Sequence, residues 1–511
     1  MSMIRSILSV GGWTLVSRVT GFLRDVVMAA VMGAGPIADA FVVAFRLPNH
    51  FRAIFGEGAF NVAFVPTYAG LDGAGEREDA RRFADRIFTL MLLIQVALLA
   101  LALPMMPLVV RALAPGFAEE PEKFALAVAL TRITFPYLLF ITLVTLLSGV
   151  LNARKRFAAA AAAPVLLNLS LLASLALAFL FPNAAYAAAW GVAVSGVLQF
   201  LLVWGDAVRA GVAPRLARPT LADTGMVRFF RMLGPAVIGS AGVQIAMFAD
   251  TIIASFLPAG AVSALYYADR LYQLPFGVIG IAAGTVLLPE MSRRLASGDA
   301  AAAHAAQNRA TGFSLALSAP FAVAFLLVPD LIMTALFQRG AFDAEAAARA
   351  GAVLAAYGLA LPAAVLIRSI VASFYARQDS RFPVVASLTA VALNVALKVA
   401  LTGPLGVTGL ALATAAGVWV NVLMLFLVAR RRGWTAPSRA LAVTACGVLA
   451  GCAVLALGTL GGLPLLERLM PPLPRFRELA ILSALGGLGL LAYAATLLAA
   501  LRLFRVPLRR V

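Results

Sequence analysis

The stretch Asp25-Val26-Val27-Met28-Ala29-Ala30 is followed by the landmarks Ala34-Gly35, Arg46-Leu47 and Pro66. The same order returns as Asp250-Thr251-Ile252-Ile253-Ala254-Ser255, Ala259-Gly260, Arg270-Leu271 and Pro289, at offsets of 225, 225, 224 and 223. Phe135-Pro136, Ala153-Arg154 and Phe157-Ala158 find counterparts in Leu361-Pro362, Ala376-Arg377 and Phe382-Pro383. Ordered matches of Asp, Arg and Pro at a nearly constant spacing indicate an internal duplication.

Between these landmarks the chain is apolar. Of 511 residues, 62% are hydrophobic and only 13% charged, where a soluble domain is roughly 25% charged. Disorder, collagen and a disulfide framework are excluded by the same composition, and Cys446 and Cys452 read as inert lipid-facing thiols. A bilayer-spanning helix needs about 20 mostly apolar residues. Fourteen such runs are present, near 7–32, 37–69, 83–110, 123–151, 158–180, 184–208, 225–256, 262–288, 301–327, 346–375, 382–401, 405–430, 438–460 and 477–504. They are too long and too little alternating for a membrane β-barrel. The first run carries Arg18, Arg24 and Asp25 and does not read as a cleaved signal peptide.

The expected fold is therefore an all-α polytopic membrane protein of about 14 helices. Residues 1–221 form one six-helix lobe, 222–435 its repeat, and 436–511 two further helices outside the duplication. Six is even, so both copies have the same orientation and are related by an axis along the membrane normal.

Lys+Arg number 41 against 23 Asp+Glu, for a net charge of +18. Twenty-six cations fall in one alternating set of loops and ends, including Arg77, Arg81, Arg82, Arg86, Arg154, Lys155, Arg156 and Arg430 to Arg432. Seven fall on the other side: Arg111, Lys123, Arg339, Arg349, Arg468, Arg475 and Arg477. The positive-inside rule makes the larger set cytoplasmic and places both termini inside. The charge excess is thus mostly an orientation signal, and no nucleic-acid partner is indicated.

The eight remaining cations lie inside apolar runs: Arg18, Arg24, Arg46, Arg52, Arg132, Arg270, Arg368 and Lys398. A charge at mid-membrane costs about 2.5–3.5 kcal/mol on insertion scales. Arg18 is roughly 20 Å along its helix from residue 5, by the 1.5 Å rise, too deep to snorkel easily. Acids in the runs are few: Asp25, Asp39, Glu57, Asp250 and Asp269. Adjacent residues on a helix point about 100° apart, so Arg24 and Asp25, or Asp269 and Arg270, are not expected to pair. The excess of arginine suits an anion such as a phosphate, which a guanidinium meets with two parallel hydrogen bonds. Glycines 11, 12 and 21, with Pro48, Gly56, Gly58 and Pro66, let the first two runs bend around a site. No metal-binding or catalytic constellation accompanies them, so a carrier is favoured over an enzyme and no cofactor is expected.

Several stretches resemble the MurJ (MviN) family, proposed lipid II flippases of the MOP (multidrug/oligosaccharidyl-lipid/polysaccharide) exporter superfamily. They are Ser17-Arg18-Val19-Thr20-Gly21-Phe22-Leu23-Arg24-Asp25, Asp39-Ala40-Phe41-Val42-Val43-Ala44-Phe45-Arg46-Leu47-Pro48-Asn49 and Arg52-Ala53-Ile54-Phe55-Gly56-Glu57-Gly58-Ala59-Phe60. Ala114-Pro115-Gly116-Phe117, Tyr266-Tyr267-Ala268-Asp269-Arg270-Leu271 and Phe374-Tyr375-Ala376-Arg377-Gln378-Asp379 add to them. The resemblance implies a MATE-like fold whose last two helices form a groove for a polyprenyl tail. It implies lipid II as cargo, moved from inner to outer leaflet of the bacterial inner membrane, with membrane lipids and cell-wall synthesis or division proteins as partners. It makes Arg18, Arg24, Arg52 and Arg270 the cavity residues for the diphosphate, with Asp25, Asp39, Arg46, Glu57 and Asp269 in support. Where relatives often carry a glutamate after the Arg270 motif, this chain has Gln273. Where some hold sodium near the position of Asp250 with an Asn and an Asp, this chain has Asn394 and Lys398, and an ammonium group stands in place of a ligand.

Read from the residues alone, other cargoes stay open: another polyprenyl-linked glycan, or drugs carried by a MATE-type antiporter. A non-transporting cell-wall scaffold is the alternative of a different class. A drug antiporter for cationic cargo favours acids and aromatics over arginine, and a scaffold has no use for charges at mid-membrane.

Overall fold

The computed structural model describes residues 3–52, 59–73, 77–218, 220, 224–471 and 476–506. Glu57 lies outside them. The described residues form eighteen α-helices: α1 (Met3–Met32), α2 (Pro36–Phe51), α3 (Ala59–Gly73), α4 (Arg77–Ala102), α5 (Met106–Leu113), α6 (Pro121–Thr134), α7 (Tyr137–Ala153), α8 (Ala158–Ala176), α9 (Ala184–Arg209), α10 (Thr224–Ala254), α11 (Ala261–Pro275), α12 (Ile281–Ala296), α13 (Ala300–Leu327), α14 (Pro329–Phe337), α15 (Ala344–Tyr375), α16 (Arg381–Arg431), α17 (Arg439–Leu469) and α18 (Arg477–Leu503). No strand occurs among the described residues.

Each apolar run falls on one helix or on consecutive helices. Nine helical stretches among the described residues are individually long and apolar enough to cross a bilayer. The fourth run is split into α6 and α7 at Phe135-Pro136, where a proline removes a backbone donor. The longest helix, α16, covers two runs: Gly406 sits at φ 54°, ψ −136°, so the chain turns there without leaving a helical hydrogen-bond pattern on either side.

The second run is described as α2 up to Arg52, which keeps helical dihedrals at φ −58°, ψ −45°, and again from α3. In the eighth, α11 ends at Pro275 and passes into a π-helical turn, Phe276–Gly280, before α12. Helix ends repeat. Lys155 and Gln378 follow α7 and α15 at φ 58° and 62°. Their amides bond Asn152 O and Tyr375 O, and the next residues, Arg156 and Asp379, bond Leu151 O and Phe374 O. Gly211 and Gly433 close α9 and α16 at φ 69° and 67° with the same bonding pattern. A left-handed residue that returns two helix-terminal carbonyls to hydrogen bonds is a strongly local signature, and here it recurs copy against copy.

Contacts gather the chain into two compact units, Met1–Ser263 and Ala264–Val511. In the first, α10 packs on α3, and a core of Phe60, Phe64, Phe83, Ile87, Leu146 and Phe229 fills the junction of α3, α4, α7 and α10. Phe64 stacks on Phe60 and Phe83 at 5.1 and 5.5 Å, and Phe229 meets Phe60 edge-on at 5.7 Å, geometries that add to simple burial. Polar ties cluster at the two ends of this unit. At one end Arg154 meets Asp72 at 3.0 Å, Arg156 pairs with Asp206, and the Asp85 carboxylate accepts the Arg215 amide at 2.7 Å. The other end carries Asp39, Gly116, Lys123 and Ser255.

In the second unit α15 packs on both α13 and α16, and Phe374, Ala386, Val422 and Leu425 form a core. At the same end of α15, Trp434 lies under the guanidinium groups of Arg432 and Arg377, at 4.7 and 5.3 Å. Asp379 accepts from Arg432 at 2.6 Å. Desolvation pushes the Asp379 carboxyl up, but the Phe382 amide, Arg432 and the Arg381 amide together hold it below its usual value. The last two helices, α17 and α18, pack on each other at Gly451 against Tyr493, whose hydroxyl donates to Ala316 O of α13 at 2.8 Å. Their other faces expose Leu449, Leu457 and Leu491, each 70% or more, a surface suited to lipid rather than water.

Where membrane helices approach closely, small residues permit it. A Cβ on Gly191 of α9 would overlap the Ser174 side chain and stand 3.2 Å from the Leu171 Cα of α8. Gly191→Leu is expected to force α8 from α9 and lower stability by about 1–3 kcal/mol, the usual cost of overpacking. A thermal unfolding midpoint in detergent equal to that of the unchanged protein would contradict this packing.

Candidate functional site

The deeply placed arginines start from helix α1. One face of this helix presents Ser17, Gly21 and Arg24, the i, i+4 and i+7 positions of a single stripe. Opposite stands Asn168, a lone amide in the apolar run Pro164-Val165-Leu166-Leu167 of α8. Gly21 has no side chain, and a Cβ there would lie 3.3 Å from the Asn168 amide nitrogen. That space lets the two helices close. Asn168 Nδ2 then donates to Ser17 O at 2.9 Å and to Thr20 Oγ1 at 3.1 Å, while its Oδ1 accepts from Arg24 Nη1 at 2.8 Å.

Arg24 also donates from Nε and Nη2 to Asp25 Oδ1, at 3.0 and 2.7 Å. This corrects the expectation that neighbours on a helix cannot pair. The Cβ vectors do diverge, but the long arginine side chain folds back along the helix and brings its fork round to the shorter aspartate. Arg24 is 6% and Asp25 3% exposed, so the guanidinium is held by two carriers of negative charge or dipole in a site with little water. The Phe45 ring lies 5.9 Å from its Cζ.

Arg24 and Arg52 line one cavity of about 520 Å³, together with Ser17, Gly21, Asn61 and Asn168. Polar side chains facing a void in the middle of apolar helices are the feature expected of a membrane substrate site. Arg18, half-exposed on α1, does not line it. Arg46 is turned elsewhere and donates to Thr251 Oγ1 at 3.1 Å.

In the second unit, Arg270 lies with its Cζ 4.6 Å from the Tyr266 ring on α11. The Gln273 side-chain amide donates to Asp269 one turn earlier. A glutamate at that position would meet Asp269 as a like charge; the glutamine converts repulsion into a hydrogen bond and leaves the neighbourhood of Arg270 less negative. Arg368 runs over Gly280 and Gly284 of the broken span, with its Cζ 5.8 Å from the Phe276 ring. Asn394 and Lys398 are both buried on α16, one turn apart, and Lys398 is 1% exposed. Asp250 is half-buried near the end of α10.

Comparison with known proteins bears on this geometry. A family model described as lipid II flippase MurJ matches residues 28–469. The chain belongs to the MurJ family. It is 43% identical over 438 residues to a probable lipid II flippase MurJ of Rhizobium meliloti, covering 85% of this chain and 82% of that protein. It is 36% identical over 444 residues to the lipid II flippase MurJ of Burkholderia cenocepacia, covering 86% of each. Among solved structures, a lipid II flippase MurJ in an inward closed conformation superposes with a TM-score of 0.80 at 24% identity, over 95% of this chain and 98% of that one. A multidrug MATE-family transporter of the MOP superfamily, in its inward-facing conformation, superposes at 0.68 and 17% identity over 81% and 94%. The fold is therefore that of the MurJ and MATE transporters.

The structure also places a MurJ-family residue for which sequence reading found no partner. Asp39 of α2 is 1% exposed. Its carboxylate accepts from the Gly260 amide at 2.7 Å and from the Ser263 amide and hydroxyl, both at 2.8 Å. Free amides at a helix start attract a carboxylate, so Asp39 caps the first turn of α11. Lys123 Nζ stands 3.6 Å from the same carboxylate. Sequence reading placed Lys123 among loop cations, yet it is 4% exposed. Its position at the very start of an apolar run was the available signal.

Asn168→Ala removes the acceptor on one side of Arg24 and the donor to Ser17 and Thr20. Leaving a buried charged group short of a partner costs about 1–3 kcal/mol or more. We expect a lowered unfolding midpoint in detergent with membrane insertion retained; an unchanged midpoint would show that Asn168 does not hold Arg24.

Proposed function

We propose that this protein is a lipid II flippase that carries the undecaprenyl-diphosphate-linked disaccharide-pentapeptide from the inner to the outer leaflet of the bacterial inner membrane by alternating access. The observation that carries the reading is the cavity shared by Arg24 and Arg52 within membrane-spanning helices, in a chain of the MurJ family. Two guanidinium groups beside a void can donate to a phosphate, Arg24 through the N–H groups that Asp25 and Asn168 leave available. Membership of this family supports lipid II over other anionic lipids. Cationic drugs are disfavoured, because cationic cargo would be repelled by the same arginines.

In this mechanism the head group enters from the cytoplasmic side and its diphosphate pairs with Arg24 and Arg52 in the cavity, with Arg18 and Arg270 as the further arginines that the family resemblance assigns to it. Arg46, Glu57 and Asp269 support the cavity and its gating, and Asp25 and Asn168 hold Arg24 in register. The lipid tail stays in the bilayer along residues 436–511, and the lobes 1–221 and 222–435 rock to open outward. Both termini face the cytoplasm, a reading supported by the arginine distribution. No chemical step and no cofactor is involved. Release requires that the pairing be reversible.

The membrane potential supplies the drive. Moving about two negative charges outward across the field is favoured by roughly 4–5 kcal/mol per 100 mV. The same field draws the empty cationic cavity back toward the inward-open state. At Asp250, Asn394 and Lys398 a lysine ammonium replaces a potential sodium ligand, so no sodium is bound there.

Arg24→Ala or Arg270→Ala is expected to insert normally yet fail to support growth when the resident flippase is depleted. Full growth would make that residue structural. Collapsing the potential at constant ion gradients is expected to stop the appearance of lipid II in the outer leaflet, and unchanged flipping would refute the electrical drive. The purified protein is expected to melt at the same temperature with sodium or potassium; sodium-specific stabilisation lost in Asp250→Ala would overturn the missing sodium site.

A further inference from the structure

The chain from Thr251 to Ser263, which opens the second sequence repeat, is fastened to earlier helices by a row of polar contacts. Arg46 reaches Thr251. The Gly116 amide donates to Ser255 Oγ at 3.0 Å. Asp39 holds Gly260 and Ser263. The row lies at the end of the first unit opposite the arginine-rich loops, and positive-inside reasoning makes that end the outer one.

A short 3-10 turn, Pro115–Glu119, joins these contacts to one lysine. Gly116 approaches the backbone of Ser255 and Phe256 so closely that a Cβ would overlap Ser255 O and stand 2.7 Å from Phe256 N. The next residue, Phe117, is fully buried and places its ring 4.3 Å from Lys123 Nζ. Lys123 Nζ is also 3.2 Å from Glu120 and 3.6 Å from Asp39. With its side chain 2% exposed, this ammonium is held between two carboxylates and an aromatic face.

A carboxylate buried to 1% exposure and set among three donors is favoured by a nearby cation in a low dielectric. Lys123 is the cation the structure sets beside Asp39. We propose that Lys123 and the Pro115–Glu119 turn are positioning elements that hold Asp39 as an outer latch: the latch keeps the outer end shut, and its release accompanies outward opening. Without the ammonium the buried carboxylate loses its counter-charge, and its grip on the Gly260 and Ser263 amides weakens. With a side chain at residue 116, the turn is pushed from Ser255 and cannot seat Phe117 under Lys123. This rests on the alternating-access reading but not on the identity of the cargo.

The test uses the full chain with Cys446→Ser and Cys452→Ser and one reporter cysteine, Ala254→Cys, at a position 1% exposed beside the latch. Right-side-out vesicles are treated with a membrane-impermeant methanethiosulfonate, and labelling is normalised to inserted protein. Low labelling is expected without further change, and a several-fold rise with Lys123→Met or Gly116→Ala. A control cysteine, Ala188→Cys, fully buried on α9, must not rise; a parallel rise there would mean general loosening and overturn the latch. No rise at Ala254→Cys in either variant overturns the proposal, and a rise with Gly116→Ala alone removes Lys123 from it. Normal latch labelling in a protein that fails to move lipid II counts against the cargo assignment and leaves the latch standing.

Discussion

A charge placed inside a bilayer must be solvated by the chain that carries it, because hydrocarbon offers neither dipoles nor counter-ions. Much of what is specific in this structure answers that constraint. Arg24 is met by Asp25 and Asn168. Asp39 is met by two backbone amides, a hydroxyl and Lys123. Each charge thereby fixes a contact between elements far apart in sequence, 144 residues for Arg24 and Asn168 and 224 for Asp39 and Ser263. The apolar surfaces of the helices are interchangeable in lipid; these polar contacts are not, so they set which helices meet and in what register.

The same constraint bears on the irregular winding of the eighth run, which lies beside deep charges. Freed backbone groups are tolerated at membrane depth only where protein or water lines the break. In the eighth run a π-helical turn, Phe276–Gly280, lies between Arg270 and the Arg368 contact. Glycine and proline supply the freedom to break, and arginine supplies a reason for water or an anion to be there. A carrier also has to hold its cargo reversibly. Arg24, already paired with Asp25 and Asn168, keeps only part of its donor set for a cargo, which suits a reversible hold.

Most of the architecture was legible in the sequence, because in a membrane span the signal is long and one-dimensional. Twenty apolar residues in a row have few other readings. The duplication was legible because charged and kink-forming residues are rare enough in such spans to serve as markers. The structure adds to it the paired left-handed helix ends at Lys155 and Gln378 and at Gly211 and Gly433, which apolar similarity could not have revealed. In the site, the arginines were legible from the cost of burying them. Asn168 was not, since one amide in an apolar run carries no marker of what it faces.

The sequence by itself determined the fold class, the apolar runs and several of the deep charges, since each follows from local composition and the transfer energy of single residues. Tertiary structure alone decided how those charges are shared. Arg24 and Arg52 face one cavity, Arg46 leaves it for Thr251, and Arg18 does not line it. Adjacent Arg24 and Asp25 pair because a flexible side chain can bend back, which helical geometry taken at the Cβ does not foresee. Lys123, counted among loop cations, proves to be buried against Asp39. Partner choice depends on three-dimensional proximity between distant segments, and spacing along a chain does not encode that distance.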